Sequence, residues 1–241
     1  MENTLYQSIA PYYKQIFQLS ENEKKFYNNF NISPRDNVLE IGCGTGQLTH
    51  YLSNFTKNIT GIDLDSTMID FAKSSFNDIN FIKLDMKNIA TQFSGNKFNY
   101  IFCMGNTLVH LKNLIEIESF FKNVKKILNS DGKFIFQILN YNKILNNNIK
   151  NLPLIENDRV TFERSYKLEN NSSLTFKTTL TIKKVANKKI ENETTLFPLK
   201  YDEIIKILNK FDFKNMHSYG NFAFQEFDVN NSDLLIGISK N

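Results

Sequence analysis

Tryptophan is absent from this chain of 241 residues, and cysteine (2), histidine (3), proline (4) and glycine (9) are scarce. Cys43 and Cys103 sit in separate apolar segments, too few for a disulfide scaffold or a cysteine-based zinc site. With so few histidines a His-rich metal centre is not expected either, so the reading includes no metal. No apolar run approaches the roughly 18 residues that a membrane span needs, and Tyr100–Met104 is typical of the apolar stretches present. Met1-Glu2-Asn3-Thr4 lacks the basic and apolar regions of a secretory signal, which makes the cytoplasm the expected location. A formal net charge of +4 and a sequence pI of about 8.8 are mildly basic, without a face or tail that calls for a nucleic-acid partner. What is plentiful is phenylalanine (22), which fills the core, together with tyrosine (10). Apolar residues at 41% and charged residues at 22% describe an ordinary globular protein, long enough to bury a core without disulfides.

Along the chain, the first thirty or so residues read as helix, with Ile9, Tyr12, Tyr13, Ile16 and Phe17 at helical spacing. Ser20 and Glu23 form a capping-box pattern that opens a second helix through Phe30. Strands and helices then alternate: strand Asn37–Ile41, helix Gln47–Phe55, strand Ile59–Leu64, helix Met68–Phe76, strand Ile79–Leu84, short helix Lys87–Phe93, strand Phe98–Met104. A long amphipathic helix, Leu114–Leu128, places Ile115, Ile117, Phe120, Phe121, Val124 and Ile127 on its apolar side, and Asp131-Gly132 turns into strand Lys133–Leu139. This alternation predicts crossover units and a parallel sheet covered by helices on both faces. Period-two alternation follows at Val160–Leu168 and Leu174–Ile182 about an Asn170-Asn171-Ser172 turn, with a third segment at Lys189–Phe197. An inserted three-stranded antiparallel sheet is expected there. Helix Tyr201–Phe211 and strands near Phe213–Tyr219 and Leu234–Ser239 close the chain.

The densest signal is Glu40-Ile41-Gly42-Cys43-Gly44-Thr45-Gly46, between a strand and a helix, where a parallel sheet opens its ligand crevice. Gln47 stands where a dinucleotide fingerprint needs its next glycine. Glu40, near the strand end, would repel a pyrophosphate and attract a ligand with sulfonium and ammonium charges. Asp63 ends the second strand, where a carboxylate can accept both hydroxyls of a ribose, and Asp85 ends the third, in reach of an adenine amine. Met86 would face the ring, and Leu64 and Met68 are placed to pack on the base. The plainer alternative is an ordinary glycine turn with acids capping helices, as Asp65 or Ser66 does. Three strand ends converging on one crevice favour the ligand site.

These residues resemble the class I S-adenosylmethionine-dependent methyltransferases, through Val38–Gly46, Ile59–Asp63, Phe81–Met86 and the strand leading to Gly105. The resemblance implies an α/β, Rossmann-like seven-stranded, mostly parallel sheet with an antiparallel last strand, in one domain over residues 1–241. It implies an N-terminal helical lid, 1–32, and makes the small antiparallel insertion, 152–198, a cover for the acceptor pocket. S-adenosyl-L-methionine is the implied cofactor and S-adenosyl-L-homocysteine the product. The cofactor set is Tyr13, Glu40, Gly42, Cys43, Gly44, Gly46, Asp63, Leu64, Met68, Asp85, Met86 and Met104.

Acceptor choice should lie after the fourth strand. Gly105-Asn106-Thr107-x-x-His110-Leu111 lacks the Pro-Pro-aromatic signature of many amino-group enzymes acting on nucleobases, and neither cysteine has a Pro-Cys context. It is similar instead to the corresponding stretch of glycine N-methyltransferases and related small-molecule enzymes, as is Asn140-Tyr141. Those enzymes carry an arginine before that pair, where it binds the amino-acid carboxylate; here Leu139 stands in its place. Tyr12, Asn106 and Tyr141 are the expected acceptor contacts. Asn106 and His110, four apart, are expected on one helical face, with Asn106 bonding the acceptor and His110 taking its proton. A packed histidine is the alternative for His110, and core packing is the alternative for the tyrosines. The basic turn Lys183–Lys189 reads as a solvated hairpin end that discourages edge pairing.

The expected function is in-line methyl transfer to a nitrogen or oxygen of a small molecule, with no membrane and no nucleic acid as partner. A tRNA or protein methyltransferase, and a non-catalytic adenosylmethionine-binding module, are the other readings. Oligomeric state has no signal in the sequence.

Overall fold

The computed structural model describes residues 5–170, 173–183 and 188–241, with the side chains of Leu5 and Asn170 left aside. The start of the chain (Met1–Thr4), residues 171–172 of the expected turn and residues 184–187 of the basic turn lie outside the described residues. Of that basic turn, Lys183 is paired at 2.6 Å with Glu156.

The N-terminal region is broken rather than continuous: α1 (Leu5–Ile9), a 3-10 turn (Ala10–Tyr12), α2 (Tyr13–Ile16) and, after a loop, α3 (Glu21–Asn28). Pro11 opens the 3-10 turn, where its missing N–H is harmless. Ser20 Oγ accepts from the Glu23 amide at 3.2 Å, and Glu23 accepts from the Ser20 amide at 2.7 Å, so the capping box starts α3 as its spacing predicts.

Then come β1 (Val38–Ile41), α4 (Gln47–Leu52), β2 (Ile59–Asp63), α5 (Ser66–Ser75), β3 (Asn80–Lys83), a 3-10 turn (Met86–Asn88), α6 (Ile89–Gln92) and β4 (Phe98–Cys103). A further 3-10 turn (Thr107–His110), α7 (Leu114–Ile127), β5 (Leu128–Leu139) and α8 (Tyr141–Asn146) follow. The insertion is β6 (Ile155–Glu156), β7 (Val160–Asn170), β8 (Ser173–Ile182) and β9 (Lys188–Leu196), before α9 (Tyr201–Lys210), β10 (Lys214–Tyr219) and β11 (Leu234–Lys240).

The main sheet has seven strands in the order β10-β11-β5-β4-β1-β2-β3. The pairs from β5 to β3 are parallel, and β11 runs antiparallel to both β5 and β10. Strand order reverses between β1 and its neighbours β2 and β4, which opens a crevice at their carboxyl ends. The apolar continuity of β1 is explained by burial on both faces. On one face, Ile117, Phe120, Phe121, Val124 and Ile127 of α7 pack on Phe134 and Phe136 of β5. Ile115, expected on that stripe, is exposed because two residues of helix rotate it about 200° from Ile117.

The insertion is a separate antiparallel sheet of four strands, not three, in the order β6-β7-β8-β9. Its extra strand is the short Ile155–Glu156, paired to Phe162 and Thr161. Its length is below what alternation can reveal. Val160, Phe162, Leu180 and Ile182 on one face of this sheet pack against Ile9, Ala10 and Ile16. The chain thus places its N-terminal helices between the inserted sheet and the crevice.

Candidate active site

A cavity of about 580 Å³ lies at the carboxyl ends of β1, β2 and β4, closed over by α1, α2 and the edge strand β9. Among the residues expected at the cofactor, Tyr13, Gly42, Gly44, Asp63, Leu64, Asp85, Met86 and Met104 line it, and His110 lines it from the acceptor side.

Three loops build this wall. After β1 the chain turns through Gly42 (φ +76), Gly44 (φ +53) and Gly46 (φ +80), a left-handed backbone that side chains disfavour. The Gly42 and Cys43 amides donate to the Ile62 carbonyl at 2.8 and 2.9 Å, tying the turn to β2. The Gly44 amide donates to Asp63 Oδ2 at 2.8 Å, and the Asp65 amide to Asp63 Oδ1 at 2.9 Å. One carboxylate therefore pins two loops and still has acceptor capacity facing the cavity. Burial raises the Asp63 pKa, and its backbone hydrogen bonds oppose that rise. Leu64 follows with its side chain 64% exposed over the cavity, an apolar surface that flat ring burial would suit. Asp85 accepts from the Lys87 amide at 2.9 Å and caps the 3-10 turn that holds Met86 against the cavity.

Several expected site residues are turned elsewhere. Gly46 faces away, because a Cβ there would meet the Phe81 ring at 2.6 Å; its role is close packing of α4 on the sheet. Cys43 is buried with Ile69, Ala72 and Phe81, its side chain directed to the sheet flank. Met68 is buried among Ile9, Val160 and Phe162, because its place in the first turn of α5 points it at the N-terminal helices rather than at a base. Glu40 is only 4% exposed and accepts a short hydrogen bond from Thr49 Oγ1 of α4. Burial, the leading cause, pushes its pKa up to about 8.

The acceptor side departs further from expectation. Asn106 adopts φ +66 and precedes the 3-10 turn, so it does not share a helical face with His110. Its side chain is fully engaged: Oδ1 accepts from the Leu139 amide at 3.0 Å, and Nδ2 donates to the Tyr141 hydroxyl at 3.0 Å. Asn106 and Tyr141 therefore brace the β4 and β5 loops behind the cavity wall rather than line it. Tyr12 packs among the lid residues, also off the wall.

His110 is held by a residue the sequence reading passed over. The Tyr6 hydroxyl lies 2.7 Å from His110 Nε2, with the rings edge to face at 5.5 Å, and both line the cavity. Burial lowers the His110 pKa to about 4, so the ring is neutral near pH 7. Tyr6 stands seven residues before Tyr13 but on a separate helix, α1, beyond the 3-10 turn. Thr107 was also missed. Its side chain fills the space over Gly42, where a Cβ would come within 2.4 Å. Glu193 and Thr194 of β9 join the wall from far along the chain, a contact that no local pattern reveals.

A family profile described as a methyltransferase domain matches residues 38–132. The ribosomal RNA small subunit methyltransferase A of Malacoplasma penetrans is 27% identical over 221 residues, which are 88% of this chain and 71% of that protein. The chain spans only between 25% and 55% of the length of three other curated relatives. Among solved structures, an S-adenosylmethionine-dependent methyltransferase from Clostridium acetobutylicum superposes with a TM-score of 0.80 at 20% identity, over 98% of each chain. An amino pentose methyltransferase from Micromonospora echinaspora superposes at 0.67 with 13% identity over 100% of each chain. At such identities these two likenesses concern the fold.

Proposed function

The chain is a class I S-adenosylmethionine-dependent methyltransferase, and from that premise we propose that its acceptor is a small molecule methylated on nitrogen or oxygen in the cavity at the strand ends. The observation that carries this is the cover over the strand ends. Beside Gly105 and His110, Tyr6 and Gln7 of α1 and Glu193 and Thr194 of β9 line the cavity. A folded RNA would have to displace both elements to bring a base to that point.

The residues present fit the cofactor. Asp63 has oxygen lone pairs for two ribose hydroxyls, Leu64 and Met86 offer apolar surfaces for the base, and Gly42 and Gly44 bring backbone to the cavity wall. Bound there, adenosylmethionine supplies an already activated methyl group. The protein's part is alignment and exclusion of water. Tyr6 and Tyr13 border the crevice from the lid side, and the neutral His110, its ring fixed by Tyr6, can orient an incoming acceptor whose proton passes to water. Tyr13 keeps its own proton, because burial raises its pKa well above the ordinary phenol value.

Kinship with a ribosomal RNA enzyme favours a second reading, transfer to RNA. Release of adenosylhomocysteine decides between them, measured with small amines and hydroxyl compounds in one arm and with tRNA and ribosomal RNA in the other. Turnover in the small-molecule arm is expected, with glycine a poor member because Leu139 leaves its carboxylate without an arginine at that position. Turnover with RNA alone would overturn the proposal.

A further inference from the structure

The inner face of the inserted sheet is apolar at both ends and polar in the middle. Phe162, Leu180 and Ile190 form one cross-strand row, and Tyr166, Phe176 and Thr194 another. The first packs on the N-terminal helices; Tyr166 packs with Tyr141 on the main domain. Between them runs the row Arg164, Thr178 and Asn192.

That row is a cluster of buried polar groups lacking partners. Thr178, 2% exposed, has no hydrogen bond to its hydroxyl, whereas Tyr166, 6% exposed in the next row, interacts with Tyr141. Asn192 Nδ2 and Arg164 Nε are buried and unpartnered as well. Asn192 Oδ1 is taken by Ser8 Oγ at 3.1 Å, and Arg164 Nη2 donates to the Pro153 carbonyl at 2.7 Å. Arg164 is half-buried, its burial lowering the guanidinium pKa, and it also borders an outer groove with Leu152, Leu154 and Lys177. Native folds satisfy nearly all such groups, and exceptions concentrated in one place ask for a reason.

The row adjoins the cavity. Thr194 lines it, and Asn192 stands one row further along the same face of β9. Ser8, which Asn192 binds, is on the same helix as Tyr6 and Gln7 of the cavity wall. Successive rows on one face are about 6–7 Å apart.

We propose that this row is the far end of the acceptor subsite, where Arg164, Thr178 and Asn192 grip an oxyanion group of the acceptor, with Tyr166 beside them. The unpartnered groups are a guanidinium N–H, an amide N–H and one hydroxyl, a donor-rich set beside one cation. Carboxylate and phosphate oxygens match it, and arginine's fork suits them best. The acceptor then reaches one strand row past the cavity wall, so glycine, besides lacking an arginine at Leu139, is too short. This inference rests on the small-molecule reading above.

The test uses the protein saturated with adenosylhomocysteine and calorimetric titration of glycine, 4-aminobutanoate and 6-aminohexanoate against butylamine and hexylamine, and of O-phosphoethanolamine against ethanolamine. At least tenfold tighter binding of 6-aminohexanoate than of hexylamine or glycine is expected, with the advantage lost in Arg164→Met and partly kept in Arg164→Lys. A larger advantage for the phosphate pair would identify phosphate as the oxyanion. In the ligand-free protein, Thr178→Val should hold or raise the melting temperature, since it removes an unsatisfied group. Equal binding of acid and amine, an advantage unchanged in Arg164→Met, or a melting temperature lowered by several degrees in Thr178→Val would overturn the subsite. Turnover of uncharged small acceptors without acid discrimination would remove the subsite and leave the small-molecule reading intact. Turnover of RNA alone would remove that reading.

Discussion

Asp63 holds the glycine loop and the β2–α5 loop together before any ligand arrives. Asp63→Ala should therefore weaken adenosylhomocysteine binding by about 1.5–3 kcal/mol, the range for hydrogen bonds to a charged group. Asp63→Asn, which keeps one acceptor oxygen, should lose less. Calorimetry on both variants checks this, and an unchanged dissociation constant in folded Asp63→Ala would refute the ribose contact. Glu40 gives a pH test with a definite sign. Its carboxyl titrates near pH 8 in the fold against an ordinary 4.5. Between those values the folded chain keeps a proton that the unfolded chain has released, so stability falls as pH rises through that window. Glu40→Gln escapes this loss. Denaturant titrations should show the stability difference moving in favour of the glutamine variant from pH 5 to pH 8. His110 has the opposite sign, since its folded pKa of about 4 lies below the ordinary 6.5. Its contribution is complete above pH 6.5 and is lost on acidification toward 4. A rate profile of kcat/KM should accordingly show no limb near pH 6.5 due to His110, and a limb there that disappears in His110→Gln would contradict the buried, neutral ring.

At the scale of elements, the β1–α4 turn and the loop after β4 hold two kinds of glycine. Gly46 combines a left-handed backbone with contact to Phe81, whereas Gly105 has φ +67 and open space where a Cβ would stand. Gly105→Ala should cost only the backbone strain, about 1–2 kcal/mol, and Gly46→Ala clearly more, as thermal unfolding of the pair would report. The strands that carry the site were legible because each is an apolar run or an alternation ending in glycine or an acid, as at Val38–Gly46 and Ile59–Asp63. What stayed hidden depends on direction rather than type. Asn106 has an amide suited to a substrate, but its left-handed backbone turns that amide onto Leu139 and Tyr141. Met68 has a side chain suited to a base, but the capped first turn of α5 aims it at the lid. Tyr6 and Thr194 reach the cavity through packing between segments far apart in the chain, which no window of sequence contains.

For the molecule as a whole, no helix among the described residues is long and apolar enough to cross a membrane. The net charge is +4, and some of the lysines are paired, as where Lys210 and Glu118 meet at 2.6 Å and Lys143 and Asp233 at 2.8 Å. Any affinity for tRNA should be nonspecific and fall steeply between 50 and 200 mM salt in a filter-binding assay, by the release of counterions. The central claim is geometric: the cofactor lies across the ends of β1 to β3, with its reactive sulfur directed into the enclosure under the inserted sheet. A crystal structure with adenosylhomocysteine tests it most directly. The account predicts ribose hydroxyls on Asp63, adenine between Leu64 and Met86, and the sulfur facing Gly105 and His110 with Tyr6 and β9 still closing the space beyond. A ribose held away from Asp63, or a sulfur opening onto a broad solvent-exposed surface able to admit an RNA strand, would contradict it.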